Sequence, residues 1–455
     1  MKNKSWIPAL TKLLGKTVVS VSEESRREHG GDAWFAHAMP DVVVTPRNVK
    51  QIQQLMRFCH ARNIPVTPRG AGRGYVGGCV PVSGGVSLSL KKLNKIREIN
   101  PADCVAIVEP GVITKDLQNA VKKIGLFYPP DPASAKESSI GGNIATNAGG
   151  PRCLKYGVTR NYILGLDVVL ANGDLVHCGG RTHKNKLGFN LTDLFIGSEG
   201  MLGVVVGATL RLIPYPPARA VLVANFKKAP QSAAAVNAII NAGFLPSVLE
   251  VADKFTLAAA RAYNPQAPQG ESFVLVEIDG QKNSVISEVK SLEKILQDCQ
   301  ALTVKKALND EDAEQLWEIR RGFSYALKST GLKKLNEDVV VPRGRLVDLF
   351  TFAEKLQKKF AVSVACFGHA GDGNIHVNLM VDPKTADSPK NRQALDLLFK
   401  QVLAWKGSIT GEHGVGLAKK PWWKLAANHE LRSLHQSVKN ALDPKRILNP
   451  GKFLD

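Results

Sequence analysis

The 455-residue sequence is poor in several things, and each shortage narrows its chemistry. Its seven cysteines (Cys59, Cys79, Cys104, Cys153, Cys178, Cys299, Cys366) are scattered without a CxxC. That excludes an iron–sulfur cluster on the usual spacings and fits a reducing compartment. Aromatic residues reach only 6%, with no aromatic-interleaved basic motif, so nucleic acid is not an expected partner. No apolar run has transmembrane length, and the start MKNKSWIPALTKLLG lacks a signal-type apolar core. A cytoplasmic location is the expectation. Acidic residues are also short, 40 against 60 Lys and Arg, which leaves a formal charge of +20. A field of that sign favours anionic partners, including the inner face of the cell membrane. The amphipathic start (Trp6, Ile7, Leu10, Leu13, Leu14) would assist such a contact. The alternative is a solubility setting with no dedicated partner.

What remains is ordinary globular composition, 44% hydrophobic and 22% charged, at a length that suggests two or three domains. Apolar side chains at Val49, Ile52, Leu55, Met56 and Cys59 predict a helix over 48–63. Strands are expected at 64–68, 86–90, 105–109 and 203–213, with a helix over 114–124 stopped by Gly125. Asn172–Gly173 between two apolar runs signals a two-residue hairpin. Pro214, Pro216 and Pro217 mark a boundary. Beyond it, strands and helices alternate through residue 298, two strands at 362–367 and 375–381 flank a glycine turn, and a helical region covers about 421–441. The pattern is α+β, with domains expected at 1–217 and 218–442 and a C-terminal segment, 443–455.

The stretch 68–90, PRGAGRGYVGGCVPVSGGVSLSL, holds seven glycines in twenty-three positions. Backbone stripped of Cβ atoms can approach a phosphate closely and cradle it with N–H groups. The spacing fails the GxGxxG fingerprint by one position, and no Walker lysine motif is present. Two further small-residue loops, SSIGGN followed by NAGG, and GSEGMLG, complete a set of three. An extended ligand with several anchor points needs such a set.

The order PRGAGRGYVGG, then YPPDPAS with SIGGNIATNAGG, then GSEGMLGVVVGATLRL resembles the vanillyl-alcohol-oxidase-type FAD-binding fold. More narrowly it is similar to the flavin-linked D-2-hydroxyacid dehydrogenases, a family that covers D-lactate dehydrogenase, the flavin subunit of glycolate oxidase and D-2-hydroxyglutarate dehydrogenase. The resemblance implies an FAD-binding domain of two α/β subdomains. It also implies an α+β substrate domain with a ferredoxin-like sheet and a C-terminal helical segment that returns to the FAD domain. Pro68, Arg69, Gly70, Ala71, Gly72, Arg73, Gly74, Gly77 and Gly78 would hold the pyrophosphate of non-covalent FAD. Ser138, Ser139, Gly142 and Asn143 would lie near the flavin, and Glu199, Gly203, Val204 and Val205 near the adenine end. Pro130, Asp131, Asn147, Gly149, Gly150 and Asn449 complete the expected set. Arg73 stands where relatives usually carry a small hydroxyl residue.

Two histidines, His369 and His376, flank a Gly-Asp-Gly turn, and Gly411–Glu412–His413–Gly414 offers a carboxylate and an imidazole between glycines. Two imidazoles and a carboxylate make a three-ligand site with open positions. The family's matching positions imply His369, His376 and Glu412 as ligands of a divalent metal, zinc first, manganese or iron as alternatives. They imply His413 as base, Asn378 as a substrate contact, and Arg320 with Ser324 one turn later as the carboxylate anchor. Arg321 should face solvent. Asn336 stands where the hydroxyglutarate enzymes carry a lysine, which shifts the expectation from a dicarboxylate to D-lactate, then glycolate. Electrons would pass to a quinone or carrier protein, with an iron–sulfur partner subunit or a homodimer as expected assemblies. The competing readings are D-2-hydroxyglutarate dehydrogenase, an oxygen-using oxidase, a metal-dependent hydrolase and a basic non-catalytic binding module.

Overall fold

Asn48 opens the first long helix: its side chain accepts from the Gln51 N–H, and Val49–Arg62 follows with Ile52, Leu55, Met56 and Cys59 buried. That is the face the apolar spacing predicts. In the computed structural model, which describes residues 5–265 and 267–454, this helix connects two parallel strands. Residues 1–4, 266 and 455, among them the outer ends of the expected domains, lie outside the described residues.

The chain divides into two compact units. The first takes residues 5–149, Val158–Tyr215 and 412–454. It contains a four-stranded sheet in the order Val19–Ser20, Val42–Val44, Val86–Ser89, Val66–Arg69, with the last three strands parallel. Its core joins Val42, Val66, Val86 and Leu88 to the helix and to Ile447 and Leu448 near the end of the chain. A second sheet of five antiparallel strands runs Ile96–Asn100, Val105–Val108, Val204–Arg211, Ile163–Val169, Leu175–Gly179. These are the two expected α/β subdomains.

The N-terminal helix Trp6–Leu14 spends its apolar face on this core: Leu10 and Leu14 are buried there, with Trp6 packed alongside, and Leu13 alone of the aliphatic leucines is exposed. Two of the five residues of the expected membrane-facing stripe, Leu10 and Leu14, are therefore internal. The hairpin at Asn172 is also corrected in its loop. Leu170 N–H donates to Asp174 O and Gly173 N–H to Leu170 O, so three residues, 171–173, make the connection, with Gly173 at φ 87°. A three-residue loop closed by a left-handed glycine suits the strand twist as a two-residue turn would.

The second unit takes Gly150–Gly157 and Pro216–Gly411. The first unit thus resumes at residue 412, some thirty positions before the 443 expected from the sequence. Seven antiparallel strands form its sheet, in the order Thr303–Ala307, Ala218–Phe226, Ser272–Gly280, Val248–Ala252, Ser363–His369, Asn374–Val381, Lys333–Val340. Numbered along the chain, the first four stand 4-1-3-2, the ferredoxin-like arrangement, and the other three extend it. Val248–Ala252 and Asn374–Val381 are buried at every position, as strands covered on both faces must be. One cover is the pair Lys254–Tyr263 and Asp310–Ser329, whose Leu257, Trp317, Phe323 and Leu327 pack on Phe273, Leu275 and Phe367.

Candidate active site

Register decides which side chains meet. Glu250 pairs with His369, Phe367 with His376, Ala365 with Asn378, and Asn378 with Asn336 across four neighbouring strands. Directly paired residues share a face, so Glu250, His369, His376, Asn378, Asn336 and Lys334 line one side of the sheet, the side crossed by helix Asp310–Ser329. From that helix, Arg320 Nε donates to Glu250 Oε2 at 2.5 Å, and Ser324 Oγ accepts from Lys334 Nζ at 3.0 Å. The expected one-turn spacing of Arg320 and Ser324 thus delivers both to the polar face. Arg321 instead pairs with Glu314 and is half-exposed.

Glu250 is the residue the sequence analysis missed. It is fully buried and joins Arg320 on one oxygen to His369 Nδ1 on the other. Burial would raise its carboxyl, but the Arg320 guanidinium and His369 overcome this and hold it at about 2. The only signal in the sequence was one carboxylate inside an otherwise apolar strand, Val248–Ala252. Arg320 is consequently not a free cation: Glu250 fixes its Nε, and its terminal nitrogens have no hydrogen-bond partner among the described residues. Lys334, also missed, is drawn down to about 8 by burial, with Lys328 and Arg320 nearby.

The His369 and His376 rings lie 5.8 Å apart, nearly perpendicular. With Nδ1 engaged by Glu250, His369 presents Nε2 for any ligand role. Asp338, buried at the edge strand, accepts from the Gly411 N–H at 2.9 Å and from Asn374 Nδ2 at 2.6 Å. Glu412 follows Gly411 by one peptide bond, so Asp338 also fixes where its carboxylate can reach. One ligand atom from each of His369, His376 and Glu412 falls within 4.8 Å of the others. The donor set, two nitrogens and an oxygen with a carboxylate behind one imidazole, fits zinc.

In the first unit, the glycine loop meets the start of helix Ile140–Thr146: a Cβ on Gly70 would fall 2.6 Å from Ser139 Oγ and 3.3 Å from Gly142. Only glycine allows that approach, and Ser139 caps the helix by accepting from the Gly142 N–H. Asn143 donates to Thr114, and Asn147 ends the helix in the left-handed region. Asn449 is buried, its Nδ2 donating to Gly78 O and Glu199 O, while its Oδ1 has no hydrogen-bond partner. An orphaned acceptor among these loops fits a bound cofactor.

Several expected cofactor residues are otherwise engaged. Arg69 turns to Gly31 O and Cys79 Sγ, Arg73 pairs with Glu137 at 2.9 Å, and Gly203 packs against Val168 and Phe195. The Glu199 carboxylate accepts from the Val415 and Gly416 N–H groups at 2.7 and 2.9 Å. Pro130 O accepts from Gln118, and Gly150 falls in the second unit. Asp32, not singled out from sequence, lies against the loop, pushed up to about 6 by burial, with Oδ2 unpartnered. His413 stacks on Tyr75, ring centres 5.2 Å apart, and lies 3.7 Å from Glu412. No described helix is long and apolar enough to cross a membrane.

Comparison with known proteins places this geometry. The FAD binding domain family matches residues 40–179, and the family of FAD linked oxidases, C-terminal domain, matches 215–453. Glycolate oxidase subunit GlcD of Bacillus subtilis is 40% identical over 91% of this chain and 89% of its own length. D-lactate dehydrogenase of Archaeoglobus fulgidus is 32% identical over 99% of both chains. The fold is shared with p-cresol methylhydroxylase, at a TM-score of 0.81 and 19% identity, covering 98% of this chain and 96% of that one. Both subdomain types, the glycine loops and the length-spanning identity to these relatives agree, and the chain belongs to the FAD-linked oxidases, as an FAD-dependent oxidoreductase.

Proposed function

We propose that the protein oxidises a D-2-hydroxyacid to the 2-oxoacid, aided by a divalent metal, and delivers electrons to a quinone or carrier protein. The relatives named glycolate oxidase subunit and D-lactate dehydrogenase support the substrate class. The observation that carries the metal is the cluster of His369, His376 and Glu412, with Glu250 behind His369.

In this reading Arg320, oriented by Glu250, holds the substrate carboxylate through its terminal nitrogens. His413 takes the hydroxyl proton. His369, His376 and Glu412 would hold the cation, which when bound lowers the pKa of the substrate hydroxyl. The first unit's glycine loops and Asn449 would hold FAD, which when bound accepts the hydrogen and electron pair lost by the 2-carbon. Asn378 contacts the substrate from the sheet. D-lactate and glycolate are the first substrates to try. Lys334 reopens the dicarboxylate reading, because the strand's period of two puts its ammonium on the face where Asn336 is found.

Anaerobic addition of D-lactate, glycolate and D-2-hydroxyglutarate to the yellow holoprotein tests the proposal. At least one should bleach the flavin, and His413→Ala should keep FAD but slow bleaching by about 100-fold or more. Treatment with a chelator should abolish turnover and leave the flavin spectrum intact. Bleaching at the parent rate in His413→Ala refutes the base, and full activity after chelation refutes the metal.

A further inference from the structure

The polar face carries two acceptors that nothing in the protein satisfies. Asn378 donates both amide hydrogens, to Ala365 O and His376 O at 3.0 Å each, which fixes its orientation and leaves Oδ1 buried without a partner. Its directly paired neighbour Asn336 has Oδ1 buried and unpartnered too, and its Nδ2 makes no hydrogen bond among the described residues. Unmet buried polar atoms cost free energy unless a ligand meets them. Two side by side, on the face that carries Arg320 and His376, form a recognition floor.

The chemistry of the missing group follows from what the floor lacks. The one fixed need, that of Asn378, is for a donor, while Asn336, with neither end engaged among the described residues, takes a donor or an acceptor. An ionised carboxylate has no donor, and would set an oxygen against the fixed carbonyl oxygen of Asn378. A methyl group or hydrogen leaves both acceptors unmet. A hydroxyl donates to an amide oxygen and accepts from an amide N–H, so it matches both ends of Asn336. Lys334 already donates to Ser324 Oγ from the adjacent position on the same strand face, and can add a donor to a hydroxyl oxygen.

We infer that Asn336 and Asn378 read a further hydroxyl on the substrate, so that the preferred 2-hydroxyacids are polyhydroxylated, of the 2,3-dihydroxyacid class. This rests on the proposed oxidation of a 2-hydroxyacid, and deepens it. A pocket that hydrogen-bonds a substrate hydroxyl rejects the analogue without it far more strongly than an apolar pocket rejects one methylene.

The test compares D-glycerate, D-lactate and D-2-hydroxyglutarate on the holoenzyme under a dye acceptor. D-glycerate should exceed D-lactate in kcat/KM by tenfold or more. Asn336→Leu should collapse that ratio, chiefly by raising the KM for D-glycerate, while its melting temperature equals or exceeds the parent's, since an orphaned amide is replaced by an apolar side chain of similar size. Asn336→Ser supplies a second variant should the leucine disturb the edge strand, and should retain part of the preference. Glycerate and lactate rates within threefold of each other overturn the inference, as does an equal effect of Asn336→Leu on both. D-2-hydroxyglutarate as the best substrate, lost in Lys334→Met, overturns it in favour of a distal carboxylate. Failure of all three acids to bleach the flavin overturns the oxidation reading itself, an outcome distinct from the others.

Discussion

Glu250 holds a full negative charge with no exposure to water, balanced by a guanidinium on one oxygen and an imidazole on the other. Breaking such an arrangement from one side leaves a buried cation uncompensated, which costs about 3–5 kcal/mol. Glu250→Gln should therefore lower the melting temperature of the second unit by several degrees. Arg321→Ala, which removes an exposed pair with Glu314, should cost less than about 1 kcal/mol. Differential scanning calorimetry distinguishes them, and equal shifts would refute the bridging role. The ligand-type residues around Glu250 were legible because His-x6-His across Gly-Asp-Gly and Glu-His between glycines are local patterns. Glu250 was not legible, because its meaning lies in pairing with His369, 119 positions away. Lys334 was hidden for a related reason: alignment by position pointed to Asn336, whereas strand period places both residues on one face.

Elements with a strong period read correctly, since burial of one face is what the period records. Val49–Arg62 and Thr114–Lys122 fall within a residue or two of the expected 48–63 and 114–124. The failures concern what covers a face. Trp6–Leu14 has the apolar stripe of a surface-seeking helix, yet Leu10 and Leu14 of that stripe are met by Ile52, Leu55 and neighbouring core residues of the same unit. Sequence periodicity cannot tell a bilayer from a protein core. The structure predicts opposite responses along the helix: Leu10→Ala should destabilise by about 2–5 kcal/mol, and Leu13→Ala, 43% exposed, by no more than about 0.5 kcal/mol. Thermal denaturation checks both. A larger cost at Leu13 would show that the helix has its outer face against something.

At the scale of the whole chain, the first unit is assembled from pieces far apart in sequence, and its last piece is held by buried charge. Lys439, 1% exposed, donates to Met201 O, Leu448 O and Asp443 Oδ2, and Lys452, fully buried, donates to Val80 O. Ile447 O accepts from Val66 N–H, continuing the parallel sheet, while Leu448 fills the core beneath it. None of this was visible from composition, where these lysines read as part of a solvated basic excess; burial turns them into clamps because each ammonium finds carbonyl or carboxylate oxygens in place of water. A chain ending at residue 442 keeps the proposed ligands and base, His369, His376, Glu412 and His413, and loses Asp443, Leu448, Asn449 and Lys452. It should therefore lose FAD and the folded first unit together, measured as a colourless, aggregation-prone product with the near-UV signal of that unit gone. Lys439→Met tests the charge alone, since it leaves Asp443 buried without its cation and should cost about 3–5 kcal/mol. A truncated chain that stays yellow and soluble would mean that the flavin-binding unit closes without its C-terminal clamp.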